Sequence, residues 1–204
     1  LFNGITVSAV KDGRLRVPLS PGFRTHSPMK DSLDFVGLNY YYRERVSLRA
    51  QDGSRINLFQ PTPGAAVSDA GRHGPYGEIY PLGMYHVLKE VSSLDKPVYI
   101  TENGLPDAND DQRPRFILTH LAQVHRAIQE GVDVRGYYHW AFTDNFEWAE
   151  GWGLRFGLVA LNQENQSRTP RPSAELYARI IEENAITPEV VLSFAPDALA
   201  DIFP

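Results

Sequence analysis

Glu102 closes a short apolar run, Lys96-Pro97-Val98-Tyr99-Ile100-Thr101, and is followed directly by Asn103-Gly104. The run reads as a strand and the Asn-Gly pair as a turn, so the carboxylate sits at the strand's C-terminal mouth. In parallel α/β sheets and barrels the loops beyond the strand C-termini build the active site. Alone, the segment fits a surface or capping Glu as well as a reactive one. A second constellation runs Trp140-Ala141-Phe142-Thr143-Asp144-Asn145-Phe146-Glu147-Trp148 and continues to Arg155-Phe156-Gly157. All three tryptophans fall between residues 140 and 152. A sugar ring has an apolar C–H face and a rim of hydroxyls, and binding one takes aromatic plates beside hydrogen-bonding carboxylates. The Glu147-Trp148 pair offers one of each, although core tryptophans and a loop charge would give the same string.

The elements that must position these residues alternate strand and helix. Asp34-Phe35-Val36-Gly37-Leu38-Asn39-Tyr40-Tyr41 reads as a buried strand. Residues 43–80 hold Gly53, Pro61, Pro63, Gly64, Gly71, Gly74, Pro75 and Gly77, too many breakers for a regular element. A helix is predicted over 83–94, with Met84, Val87, Leu88 and Val91 on one face, and the strand 97–101 follows. Asp107 to Asp111 and Arg113-Pro114 supply capping and first-turn residues for a helix whose face is Ile117, Leu121, Val124 and Ile128, ended by Gly131 in a left-handed conformation. Residues 134–142 read as a further buried strand. A last helix over 173–184 buries Leu176, Tyr177, Ile180 and Ile181, and the tail beyond Pro188 is ambiguous.

Serial strand-helix units imply parallel crossovers, with the second and third strands as neighbours. Three units do not close a barrel, which takes about 250 residues. This chain would supply the last three units of a (β/α)8 barrel, with a preceding helix near residues 1–11, and residues 1–204 would form one part of a single domain. Bare strand edges and an uncovered sheet face would then require the missing strands.

Composition narrows the partners. The 204 residues are 42% hydrophobic and carry a net charge of −5, with no Lys/Arg run, which argues against nucleic acid or an anionic membrane. No segment approaches the roughly 18 apolar residues of a membrane span. The absence of Cys excludes disulfides, thiolate catalysis and Cys-based zinc sites, and makes a cytoplasmic setting the default. The chain opens on Leu1 rather than Met, so it reads as cut from something longer.

Taken in order, DFVGLNYY (34–41), YITENG (99–104), WAFTDNFEW (140–148) and Arg155-Phe156-Gly157 resemble the C-terminal part of glycoside hydrolase family 1. The resemblance covers nearly the whole chain. It implies a (β/α)8 barrel that hydrolyses β-glycosides with retention and without a cofactor. By this resemblance Glu102 is the nucleophile, Tyr41 holds its carboxylate, and Asn39 faces the cleft. Trp140 underlies the first-subsite sugar, Glu147 and Trp148 recognise the hydroxyls at C4 and C6, and Phe156 is a further wall. A retaining enzyme pairs two carboxyl groups roughly 5–5.5 Å apart, one attacking and one protonating the leaving oxygen.

The family's acid/base lies in an Asn-Glu-Pro motif that occurs nowhere in this sequence. A β-glycoside substrate and the missing N-terminal half of the barrel are therefore the expected partners, and no normal turnover is expected of the chain alone. The alternative is a non-catalytic sugar-binding or interaction relative. Weaker signals do not compete. Asp107-x-Asn109-x-Asp111 starts like an EF-hand loop but has Gln112 and Leu118 at the required Gly and Glu positions. Gly151-x-Gly153 lacks the third dinucleotide-binding glycine, and His120 and His125 are poorly spaced for a shared metal. Asn165-Gln166-Ser167 is a formal glycosylation sequon from which nothing follows.

Overall fold

The computed structural model describes residues 3–15, 24–25, 28–47, 57–71 and 74–204. Helix α1 spans Asn3–Asp12 and is followed by the strand-helix series β1 (Val36–Asn39), α2 (Pro81–Ser92), β2 (Val98–Asn103), α3 (Arg113–Gln129), β3 (Val134–His139) and α4 (Pro172–Glu183). The three strands form one sheet in the order β1-β2-β3, every pairing parallel, as the serial crossovers require.

The apolar runs of the strands meet the stripes of α2 and α3 on one face of this sheet. Leu38, Tyr40, Val98 and Ile100 pack against Met84, Leu88, Val124 and Ala127. Among the described residues nothing covers the opposite face. Gly37, Asn39, Thr101 and Tyr138 are exposed, although parallel sheets are ordinarily covered on both faces. A second core lies between α3, α4 and the tail, where Ile117, Leu118, Leu176, Val190 and Val191 are buried together. The tail is ordered: α5 (Pro188–Phe194), capped by the Thr187 side chain, a 3-10 turn at Pro196–Ala198 and α6 (Leu199–Ile202) join this core.

Several expectations are corrected. Phe35 is 53% exposed and β1 begins after it, while β3 stops at His139 and leaves Phe142 75% exposed. Ile128 and Ile181 are exposed, because the buried stripe of α3 runs through Phe116, Ile117, His120, Val124 and Ala127, and that of α4 centres on Leu176. The segment 43–80 is not devoid of regular elements: Arg45–Ser47 pairs with Asn57–Gln60, and Ala70–Gly71 with Gly74–Pro75, both antiparallel. Gly53 lies outside the described residues.

Helix starts are fixed from the loop between β2 and α3. The Asp107 carboxylate accepts the amide N–H groups of Gln112 (3.0 Å) and Arg113 (2.8 Å), capping α3 from five residues upstream. Asp110 accepts both the N–H and the hydroxyl of Ser173, at 2.8 and 2.7 Å, and so caps α4. Arg113, buried at 0% exposure, pairs with Asp110 and donates to the carbonyls of Asp107 and Arg155. Gly131 ends α3 with φ +89°, the left-handed conformation its lack of a side chain permits.

Candidate active site

The ladder between β1 and β2 slips by one residue after Leu38, so that Asn39 is level with Glu102 rather than with Thr101. Such an irregularity re-aims a side chain at the end of a strand. Just beyond it, the Tyr41 hydroxyl donates to Oε2 of Glu102. Burial first, and then the bond to Glu102, hold the Tyr41 phenol well above its ordinary range, so it is a donor at any neutral pH. Asn39 is exposed beside this pair, its Oδ1 accepting from the Thr101 hydroxyl at 2.6 Å.

Asn103, read from sequence only as a turn residue, ties all three strand ends together. Its Nδ2 donates to the Tyr40 carbonyl (2.6 Å), its Oδ1 accepts from the Tyr137 hydroxyl (2.8 Å), and its carbonyl accepts the N–H of Trp140 (2.9 Å). The side chain is fully buried with both polar ends satisfied. Gly104 follows because the chain passes against Trp140: a Cβ there would lie 1.7 Å from the Trp140 carbonyl oxygen. The bond between Trp140 and Ala141 is cis.

Trp140 Nε1 donates to Glu147 Oε1 at 3.1 Å, and Asn145 Nδ2 donates to the same oxygen at 2.6 Å. Glu147 Oε2 has no hydrogen-bond partner among the described residues. Trp148 stands 84% exposed with φ +44°, a left-handed backbone uncommon for a large side chain. Phe156 is placed differently from the sequence expectation of a pocket wall: it is buried at 0% exposure, behind Tyr41. It anchors a cluster with Ala141 and Leu154, on which Tyr41, Tyr76 and Trp140 pack.

The structure therefore joins Tyr41 to Glu102 and Trp140 to Glu147 by direct bonds, and links the two pairs through Asn103 and the Phe156 cluster. Asn39 lies alongside, and Trp148 stands apart at the rim. Three contributors were not read from the sequence. Asn145 carries no signal of its own within the 140–148 string. Tyr76 lies in a breaker-rich loop with no periodic signal. The Asp144–Arg171 pair braces the loop from beneath and spans 27 residues, with no local pattern to reveal it.

Among the described residues no group of three or more His, Cys, Asp or Glu is placed to hold a metal. No helix among them is long and apolar enough to cross a membrane.

Residues 23–186 match the model of glycosyl hydrolase family 1. The β-galactosidase of Pyrococcus woesei is 34% identical over 92% of this chain and 39% of its own length. For the β-galactosidase of Saccharolobus solfataricus the figures are 42%, 79% and 34%, and for β-glucosidase A of Thermotoga maritima 36%, 78% and 37%. The solved β-glycosidase from Pyrococcus horikoshii superposes with a TM-score of 0.77 at 35% identity, covering 95% of this chain and 44% of that one. The Thermotoga maritima β-glucosidase in complex with castanospermine gives 0.66 at 33% identity, covering 78% and 37%. The chain spans less than half the length of these relatives. Its three parallel strand-helix units are a portion of a (β/α)8 barrel, and the chain belongs to glycosyl hydrolase family 1.

Proposed function

We propose that this chain is the nucleophile-bearing part of a retaining β-glycosidase. The observation that carries this reading is the Tyr41 hydroxyl donating to Glu102 at the C-terminal end of β2, in a chain whose relatives are named as β-galactosidases and β-glucosidases. In the first step a Glu102 oxygen bonds to the anomeric carbon as the bond from that carbon to the leaving oxygen breaks. The leaving oxygen takes its proton from an acid group that this chain does not supply, and water then releases the sugar with net retention. Trp140 offers the apolar plate beneath the ring, Glu147 accepts from sugar hydroxyls through its open Oε2, and Trp148 closes the rim. Asn39 faces the same cleft. Phe156 serves by holding Tyr41 from behind.

Residues 1–204 act on this reading as one part of a single barrel domain. The bare face of the sheet supports a partner that covers it, namely the N-terminal strands of the same barrel, and the missing acid/base would arrive with them. The chain alone would then lack normal turnover. The absence of Cys supports a cytoplasmic setting.

A test is intact-mass labelling with a 2-deoxy-2-fluoro-β-glucosyl reagent bearing a leaving group that needs no acid, on the chain alone and with the N-terminal half added. A single glycosyl adduct, abolished by Glu102→Gln, is the expected result. A folded complex that takes no adduct would overturn the catalytic assignment and favour a sugar-binding relative.

A further inference from the structure

Tyr76 belongs to no motif and is placed with unusual care. Its loop is docked on the segment after β2: the Asp69 carboxylate accepts the Ala108 N–H at 2.8 Å, and the Asp69 N–H donates to the Pro106 carbonyl at 3.2 Å. Two residues beyond Tyr76, Glu78 is 2% exposed, pairs with Arg43 and accepts the Thr62 N–H at 2.7 Å. Between them Gly77 lies flush on Tyr42, where a Cβ would come within 2.2 Å of the Tyr42 ring. The Tyr76 ring is gripped edge-on by three aromatics, with centroid separations of 5.2 Å to Phe156, 5.3 Å to Tyr42 and 6.2 Å to Tyr41. Its hydroxyl has no hydrogen-bond partner among the described residues and is not among the buried unpaired atoms, so solvent reaches it beside the Tyr41 and Phe156 rings.

We propose that Tyr76 is a further sugar-contacting, specificity-determining residue: its phenol donates to the same sugar hydroxyl that donates to Glu147, and the two together select for a hydroxyl at that ring position. The inference rests on the glycosidase reading above and adds to it a residue and a hydrogen-bond pattern. Glu147 can only accept. The two donors beside it, Trp140 Nε1 and Asn145 Nδ2, are both directed at its Oε1. A sugar hydroxyl that gives its proton to Oε2 keeps lone pairs that need a donor, and Tyr76 offers an unengaged phenol packed on the Phe156 cluster that also carries Trp140. After burial and the neighbouring Tyr42, the charges of Glu147, Glu102 and Glu150 raise its phenol to about 12. The ring touches Tyr41, which holds Glu102, and packs on the same Phe156 cluster as Trp140, which holds Glu147, and the hydroxyl stays protonated. Purely structural packing would need the ring and nothing from the oxygen.

Tyr76→Phe separates the two roles, because it keeps all three edge contacts. Inactivation kinetics are followed by intact mass, with the N-terminal half present, using 2-deoxy-2-fluoro-β-glucosyl fluoride and its 4-deoxy and 6-deoxy analogues. For the parent probe, Tyr76→Phe is expected to weaken the saturation constant about tenfold, the worth of one hydrogen bond, and to leave the maximal labelling rate unchanged. The loss should vanish with one of the two deoxy analogues, which identifies the hydroxyl. Equal behaviour of Tyr76→Phe and the parent protein on all three probes would overturn the proposal while leaving the nucleophile assignment intact. An equal loss on all three would also overturn it, by placing the effect on Tyr41 and Glu102. No adduct on the unsubstituted protein would remove the glycosidase reading and this one together.

Discussion

The loop that carries Trp140 and Glu147 stands on one buried carboxylate. The Asp144 side chain is 2% exposed and accepts four bonds: Gly157 N–H at 2.9 Å, Leu161 N–H at 3.2 Å, and Arg171 Nη1 and Nη2 at 3.1 and 3.0 Å. Gly157 lies flush on the same loop, where a Cβ would sit 2.2 Å from the Asp144 amide nitrogen. Asp144→Ala would take the acceptor from the Gly157 and Leu161 amides and the counter-charge from Arg171 at once, a loss of about 3–5 kcal/mol. That is comparable with the whole stability of many domains, so the informative variant is Asp144→Asn, whose single carbonyl oxygen keeps part of the set. We expect it to lose about 2–3 kcal/mol. Arg171→Met leaves the carboxylate with both amide donors and with Arg155 at 3.8 Å, and should lose about 3 kcal/mol, the lower end for a broken buried pair. Because the two residues share one network, the double variant should fall short of the sum by about 1–3 kcal/mol. Urea unfolding followed by tryptophan fluorescence measures all three. Single losses below about 0.5 kcal/mol, the range of ordinary surface changes, would refute the brace, and so would strict additivity.

Tyr41→Phe removes the donor to Glu102 while keeping the ring on Phe156, and should slow glycosyl labelling by roughly tenfold to a hundredfold, the worth of a hydrogen bond to a charged group; labelling at the unsubstituted rate would contradict it. Gly104→Ala drives a methyl into the Trp140 carbonyl, where backbone meets backbone, and should destabilise by about 1–3 kcal/mol or more and weaken sugar binding at Trp140, read by thermal unfolding and by the saturation constant for labelling. His139 is pulled to about 3 by burial, then by Arg113 and His120, and His120 to about 4 by burial, so between about pH 6.5 and 4 the unfolded chain takes protons that the folded chain refuses. Stability should therefore fall with falling pH by up to about 1.4 kcal/mol per unit for each histidine, and His139→Phe should halve that slope in urea titrations across the window; an unchanged slope would disprove it.

What was legible in the sequence is what local pattern controls. Pro97, Asn103 and Gly104 punctuate β2, and the 3.6 period of Met84, Leu88 and Val91 locates α2, because capping and periodicity act over a few residues. The same logic fails where a distant group decides. The expected face of Ile117, Leu121, Val124 and Ile128 holds at Ile117 and Val124, but His120 and Ala127 complete the buried stripe while Ile128 falls at its edge. Asp110 caps a helix that begins 63 residues later, which no window of sequence displays. Phe156 was readable as an aromatic near the site but not as one buried behind it, because Tyr76, which helps to cover it, comes from a loop of breakers. The pair Tyr41–Glu102 was legible only through motif resemblance, since 61 residues separate the two.

Three buried carboxylates differ from those of the site in the partners they keep, while a fourth, Asp107, is buried on the amides of Gln112 and Arg113. Asp110, Asp144 and Glu78 are buried and answered by Arg113, Arg171 and Arg43, a formal positive charge for each negative one. Glu102 and Glu147, by contrast, are half-buried and receive only neutral donors: a phenol for the first, an indole and an amide for the second. Among the described residues neither forms an ion pair, so each keeps its negative field undivided. Structural carboxylates gain from a cation because an uncompensated charge in the interior is destabilising. A carboxylate that must meet positive charge developing on a sugar ring loses by having one, since a resident guanidinium would occupy the attacking oxygen and oppose the transition state. Neutral donors hold such a group in position without spending its charge. On the proposed glycosidase reading this contrast separates the arginine-paired carboxylates beneath the loops and helix starts from Glu102 at the end of β2 and Glu147 in the loop after β3.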